Sequence, residues 1–144
     1  LPAGGGTKEF ALRISDRYKK GDVETNVIQE TFMNIAMAKV ATSAEEAYGL
    51  GILRRGIDHV SVNKSRQISD AKARVLQLAA AGYTPPTMRK DIRVPGKTAL
   101  GMVYAGTYAM EYGNYASAHD RLVAEKVGYV MAGGDLSEPT LVSE

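Results

Sequence analysis

Apolar residues recur at the spacing of an α-helix along most of this chain, and glycines stand at the ends of the repeating stretches. Spacings of three and four residues place side chains on one face of a helix, which a core can then bury. Glycine just beyond the last turn is a common helix stop. The pattern predicts long helices over about residues 7–18, 25–40, 68–79, 97–112 and 117–132.

Capping-box spacing, a capping residue followed three positions later by Glu, marks further helix starts. The pairs with this spacing are Gly6 with Glu9, Thr42 with Glu45, and Ser43 with Glu46. The second and third pairs predict a short helix that ends at Gly49. Because only residues 59–63 alternate as a strand does, we expect a mainly α fold with five to six helices and at most one short strand.

Two segments lack a helical period. Residues 84–96 contain three prolines, which stop helices and favour extended backbone in the residue before them. This segment is therefore predicted to be a loop or an extended crossing. In the tail, Ser137-Glu138-Pro139 is typical of the approach to a further helix.

The charge pattern excludes several functional classes. The 18 basic and 16 acidic residues are spread along the chain and give a net charge of +2, whereas proteins that bind nucleic acid or membrane surfaces cluster their basic residues. No run of about 18 apolar residues is present to span a membrane. The absence of cysteine excludes disulfides, thiolate catalysis and zinc–thiolate sites. We expect a cytoplasmic protein that binds neither nucleic acid nor membrane.

No catalytic constellation is evident among the titratable residues. His59 and His119 lie 60 positions apart, and neither has the spacing of a metal-binding motif, so no metal site is expected. Adjacent residues on a helix do not face each other, so His119 and Asp120 are predicted to be solvent-facing polar residues. The basic pairs Arg54-Arg55 and Arg89-Lys90 could hold the phosphates of a ligand or could lie in solvated loops.

The sequence Gly4-Gly5-Gly6-Thr7 before the first helix is the sharpest local signal. Glycine lets a ligand approach the backbone closely, and a helix N-terminus offers unpaired N–H groups to a phosphate or carboxylate. A tight turn without a ligand, or a flexible or tag-derived start, is the alternative interpretation.

Two stripes run along the predicted helix over residues 97–112. Gly101, Ala105 and Ala109 are small enough to let another backbone come close. The tyrosines continue past the helix as Tyr104, Tyr108, Tyr112 and Tyr115. They could line an acyl or aromatic pocket, or form the amphipathic seam between packed helices or subunits.

Several stretches, taken together in order, resemble the crotonase (enoyl-CoA hydratase/isomerase) superfamily. They are Leu1-Pro2-Ala3-Gly4-Gly5-Gly6-Thr7, residues 38–51, residues 70–73, Ala79-Ala80-Ala81-Gly82-Tyr83-Thr84-Pro85-Pro86 and residues 133–137. The later stretches resemble bacterial bifunctional enzymes of fatty-acid β-oxidation that join a 3-hydroxyacyl-CoA dehydrogenase to a hydratase. The resemblance implies that the chain is the C-terminal helical part of a crotonase-like α/β fold, truncated at both ends.

The resemblance also implies what each part would do. Ala3, Gly4, Gly5 and Gly6 would form a wall of the acyl-CoA pocket, residues 1–83 would belong to the crotonase-like module, and residues 84–144 would be a helical extension. The catalytic glutamates, the oxyanion hole and the NAD-binding domain would lie upstream, so no cofactor and no catalytic residue is expected in this piece. The fragment is expected to be inactive and to form a homo-oligomer. The alternatives are a self-standing helical interaction protein and an acyl-CoA- or nucleotide-binding module.

Overall fold

The structure, a computed structural model, describes residues 4–144 and confirms the mainly α fold. In that part of the chain, six α-helices and two short strands are joined by loops and one 3-10 turn. The bounds are α1 (Gly6–Arg17), α2 (Glu24–Ala36), α3 (Ala44–Gly49), the 3-10 turn (Lys64–Arg66), α4 (Gln67–Ala80), β1 (Ile92–Val94), α5 (Lys97–Tyr112), α6 (Ala118–Met131) and β2 (Thr140–Val142).

The described residues divide into two compact units. Residues 4–40 with 88–144 form the first, here called the helical unit, and residues 41–87 form the second, the inserted unit. The predicted boundary between residues 83 and 84 concerns the modules of a longer protein, and it stays a prediction.

The core of the helical unit lies between α1, α2, α5 and α6. Each helix contributes one buried apolar face, as the helical spacing of the sequence predicts. The buried side chains of this cluster are Ile14, Ile28, Phe32, Ala99, Leu100, Val103, Val127, Met131 and Ala132. Removing a large aliphatic side chain of this kind from water contributes about 1.5–3 kcal/mol.

A two-stranded antiparallel sheet completes this unit. Ile92 of β1 lies opposite Val142 of β2. Ile92 and Val94 are buried whereas Arg93 between them is exposed, which is the alternation expected of a half-buried strand. A Cβ built on Gly133 would lie 2.4 Å from Val94 Cγ2, and Gly133 has a φ of +78°, so both space and conformation require glycine there.

The strand prediction was wrong in its position. Residues 59–63 form irregular structure, and Val62 is 98% exposed, because alternation alone does not supply a partner strand. The tail, where Ser137-Glu138-Pro139 favoured a helix, instead forms β2. Residues 84–96 form no helix, as predicted: they are loop except for β1.

The helix ends confirm some predicted caps and correct others. Ser43 caps α3, because its hydroxyl accepts from Glu46 N at 3.1 Å. The α1 cap was predicted wrongly, because Gly5 rather than Gly6 is the N-cap. Glu9 accepts from Arg13 Nε at 3.0 Å.

The helix α2 is shorter than predicted. It ends at Ala36, and Ala38 beyond it has a φ of +48°, in the left-handed region that breaks a helix. Residues 37–40 therefore leave the helix although their side chains continue its apolar pattern.

The inserted unit has little core of its own. Among residues 41–87, all of which the structure describes, Ala47 is the one buried apolar side chain. Throughout α4, the longest helix of this unit, each residue is exposed or half-buried. No helix among the described residues is long and apolar enough to cross a membrane.

Candidate functional site

The predicted ligand-binding turn is described from Gly4 onward. Gly4 has a φ of +36°, and Gly5 is the N-cap of α1. The Thr7 hydroxyl donates to the Gly4 carbonyl at 3.3 Å and so closes the turn. A Cβ built on Gly4 or Gly5 would have no described atom within 4 Å. Among the residues that the structure describes, Gly4 and Gly5 therefore border open space and are not required by close packing.

The fourth residue of the predicted wall, Ala3, lies outside the described residues. Gly6 is the first residue of α1, so the turn leads into a helix N-terminus as predicted. Such an end presents unpaired N–H groups and positive potential. Binding of an acyl-CoA by Ala3, Gly4, Gly5 and Gly6 stays a prediction.

An open apolar groove between α2, α5 and α6 is a second candidate site, which the sequence analysis did not identify. Its volume is about 260 Å³. Four of the six methionines of the chain line it, and we call it the methionine groove. Its lining residues are Gln29, Phe32, Met33, Ala36, Met37, Met102, Val103, Gly106, Thr107, Met110, Ala116, Asp120, Arg121 and Ala124.

The two charged residues of the methionine groove are held by neighbours. The Ser117 hydroxyl accepts from Asp120 N at 3.1 Å and the Ser117 N–H donates to Asp120 Oδ2 at 2.9 Å, which makes a capping box. The Ser117 hydroxyl also donates to Asp120 Oδ2 at 2.7 Å, and these bonds to the carboxylate lower the pKa of Asp120. Arg121 Nη1 lies 2.7 Å from Glu111 Oε2, and Arg121 Nε lies 3.4 Å from Glu125 Oε1. This Nε is buried and has no hydrogen bond.

The tyrosine stripe lies on the outer face of α5. Tyr104, Tyr108, Tyr112 and Tyr115 are all exposed, and the last two expose 81% of their surface. The rings of Tyr108 and Tyr112 stack with centroids 6.1 Å apart. Within the described helical unit the stripe is therefore not a seam between packed helices, and the interpretation as a subunit seam stays a prediction.

The small-residue stripe shares this outer face. Gly101, Ala105 and Ala109 are exposed, so in the described structure they do not admit another backbone. The close approach of α5 and α6 occurs elsewhere, at Gly128, where an added Cβ would lie 2.6 Å from Val103 Cγ1.

The histidines and the basic pairs are on the surface. His59 and His119 are exposed, which for His119 confirms the prediction. Arg89 Nη1 lies 2.7 Å from Asp16 Oδ1 and its Nε lies 2.8 Å from Asp91 Oδ1.

Arg55 pairs with Glu45, and its guanidinium lies 4.6 Å from the ring centroid of Tyr48. Arg89 and Arg55 therefore already have anionic partners. Within residues 4–144, no group of three His, Asp or Glu side chains could hold a metal ion.

Comparison with known proteins finds a stretch of similar sequence in a much longer protein. A protein of Bacillus subtilis (strain 168), described as a probable 3-hydroxyacyl-CoA dehydrogenase, is 38% identical to this chain over 144 residues. That alignment covers the whole chain but only 18% of the length of the relative. No family profile matches the chain, and no solved structure matches it. The chain is thus related in sequence to a stretch of that dehydrogenase.

Proposed function

We propose that this chain is one segment of a longer acyl-CoA enzyme of fatty-acid β-oxidation. The observation that supports the proposal is the 38% identity over the whole chain to a probable 3-hydroxyacyl-CoA dehydrogenase that is several times longer. The reactive groups and the NAD-binding domain belong to other segments of the enzyme, and a coenzyme A thioester is the substrate. The resemblance of several stretches to the crotonase superfamily supports the further proposal that this segment belongs to an enoyl-CoA hydratase portion, a lyase, of the same cytoplasmic enzyme.

Two roles follow for the segment itself. The turn formed by Ala3, Gly4, Gly5 and Gly6 is a wall of the acyl-CoA pocket, and the open space beside Gly4 and Gly5 supports this role. The outer face of α5 forms contacts between subunits, supported by its exposed tyrosines and small residues.

The test of the proposal starts from the gene product in its native source. We expect a mass several times larger than 15.5 kDa, together with NAD reduction in the presence of 3-hydroxybutyryl-CoA and hydration of crotonyl-CoA. The purified 144-residue chain should catalyse neither reaction. A native product near 15.5 kDa without either activity would support a self-standing interaction or binding module instead.

The subunit role is tested separately by light scattering. We expect the chain to form a dimer or trimer and the substitution Ala105→Glu to yield monomers, because it places a charge on the outer face of α5. Asn26→Glu on α2, an exposed position with the same change of charge, is the matched control and should leave the mass unchanged. Monomeric behaviour of the unmodified chain at high concentration would contradict this role.

A further inference from the structure

We propose that the methionine groove binds a linear alkyl chain. The inference deepens the proposed function and rests on it for the source of the chain, since an acyl-CoA thioester carries one. The ligand is defined by the groove itself: its shape, its lining and the state of its polar groups favour an uncharged, flexible, unbranched chain.

The lining offers apolar surface on three sides. Phe32 and Met33 come from α2, Met102 and Met110 from α5, and Ala124 from α6. Methionine has an unbranched, polarizable side chain that adapts to ligands of irregular shape. Four such side chains around one groove suit a chain that can bend and slide along it.

Three of the four polar residues of the groove have hydrogen-bond or ion-pair partners within the chain, and the buried Nε of Arg121 has no hydrogen bond. The Thr107 hydroxyl is buried and donates to Val103 O at 2.9 Å. The charge of Asp120 is held by Ser117, and that of Arg121 by Glu111 and Glu125. Gln29 is exposed to solvent. A ligand that needs charge pairing at every position would find few partners here, whereas an alkyl chain needs none.

The volume of the groove fits an alkyl chain better than it fits a helix of a partner protein. An apolar cavity of about 150 Å³ holds benzene, so 260 Å³ corresponds to roughly eight to ten carbons. An α-helix with its side chains is about 10–12 Å wide, so a partner helix could place only a few side chains in this volume.

The methionines themselves report binding. In a chain carrying ¹³C-labelled methionine methyl groups, we expect 1-decanol to shift the signals of Met33, Met37, Met102 and Met110 to saturation. Met88 is exposed outside the groove and Met131 is buried in the core, so their signals serve as internal controls. Binding should tighten by about fourfold for each methylene from 1-butanol upward and level off near ten carbons. Absent shifts, or equal shifts at Met88, would overturn the inference.

A matched pair of variants on α5 locates the site. Gly106→Leu fills the groove without a backbone clash, because no atom lies within 4 Å of an added Cβ. We expect it to weaken 1-decanol binding at least tenfold. Thr98→Leu, at an exposed position of the same helix but outside the groove, should bind as the unmodified chain does. An unchanged Met131 signal reports that the core of each variant is intact.

Two further outcomes overturn the inference. If Gly106→Leu binds 1-decanol as tightly as the unmodified chain, the groove is not the site. If Gly106→Leu converts a dimer to monomers, a second copy occupies the groove.

A titration with decanoyl-CoA distinguishes failure of the alkyl-chain site from failure of the proposed function. We expect it to shift the same four methionines. Binding of 1-decanol without binding of decanoyl-CoA would keep the alkyl site and reject acyl-CoA as its source. Binding of decanoyl-CoA that leaves the four signals unmoved would keep the proposed function and reject the alkyl site.

Discussion

Gly128 of α6 determines how closely this helix can lie against α5. Because an added Cβ would lie 2.6 Å from Val103 Cγ1, and valine is stiff about χ1, we expect Gly128→Ala to lower the free energy of unfolding by about 1–3 kcal/mol. Urea denaturation measures the change. Val103→Ala in the same chain should recover part of the loss.

The control for this prediction is Gly101→Ala on the exposed face of α5. It should stabilise the chain by about 0.5–1 kcal/mol, since glycine is unfavourable inside a helix and nothing obstructs the new methyl group. Equal effects of Gly128→Ala and Gly101→Ala would contradict the role given to Gly128.

The contrast between Gly128 and Gly101 shows where sequence reasoning ends. The spacing of Gly101, Ala105 and Ala109 predicts a close approach of backbones, but these residues lie on the outer face of α5. Small residues allow a close contact between helices. Which face of α5 makes this contact depends on how α6 packs against it. Ala124, Gly128 and Ala132 have the same spacing of four residues, so the sequence carried a signal for the close contact that was not used.

The ionisation of Tyr18 makes the stability of the fold depend on pH. Burial, and next to it the charge of Glu24, raise the pKa of its phenol to about 12. The unfolded phenol ionises near pH 10, so the stability that protonated Tyr18 contributes is fully present below pH 10 and is lost as the pH rises through about 12.

Absorbance titration of the tyrosines should show one late ionisation, which Tyr18→Phe removes. The variant should also lose less stability than the unmodified chain between pH 10 and 12. Tyr83→Phe, an exposed position, is the control and should leave the late ionisation in place. Its disappearance in the control would contradict the assignment.

At the scale of elements, the cap of α6 is the most complete in the helical unit. Ser117 and Asp120 exchange hydrogen bonds between side chain and backbone in both directions. We expect Ser117→Ala to reduce the free energy of unfolding by about 1 kcal/mol, measured by thermal or urea unfolding. Ser117→Thr keeps the hydroxyl and should cost less; an equal loss in both variants would show that the cap is not the cause.

The sequence predicted the helices more accurately than the strands. The apolar spacing and flanking glycines predict α5 over residues 97–112, where the structure has it. The strands β1 and β2 are three residues each and lie far apart in the chain. Because each is defined by its partner, local pattern alone pointed to residues 59–63 instead.

The candidate site was predictable only in part. The glycine turn stands in consecutive residues and could be read directly. The methionine groove is assembled from α2, α5 and α6, and methionine at helical spacing gives the same signal as any core residue. Only the packing of these helices brings Met33 and Met110 to one opening.

For the molecule as a whole, the two units differ in how much apolar surface each buries. The helical unit has a cluster of nine buried side chains, whereas Ala47 is the one buried apolar side chain in the described residues 41–87. Local opening is easiest where few apolar contacts are made. We expect the amides of α4 to exchange with deuterium much faster than those of α5 in hydrogen-exchange mass spectrometry.

Residues 118–131 of α6 provide the comparison, since they pack in the core and should exchange as slowly as α5. The exposed side chains Ile68, Val75 and Leu76 of α4 make its rapid exchange a consequence of missing burial. Protection of α4 equal to that of α5 and α6 would contradict this expectation.

The four thioethers of the methionine groove also make it open to oxidation. Met33 and Met37 expose 41% and 57% of their surface, so peroxide in solution can contact these two residues. Conversion to the sulfoxide places a polar oxygen where the groove was apolar. Oxidative stress would therefore make the apolar groove polar. Methionine sulfoxide reductase would restore the thioethers and with them the apolar groove.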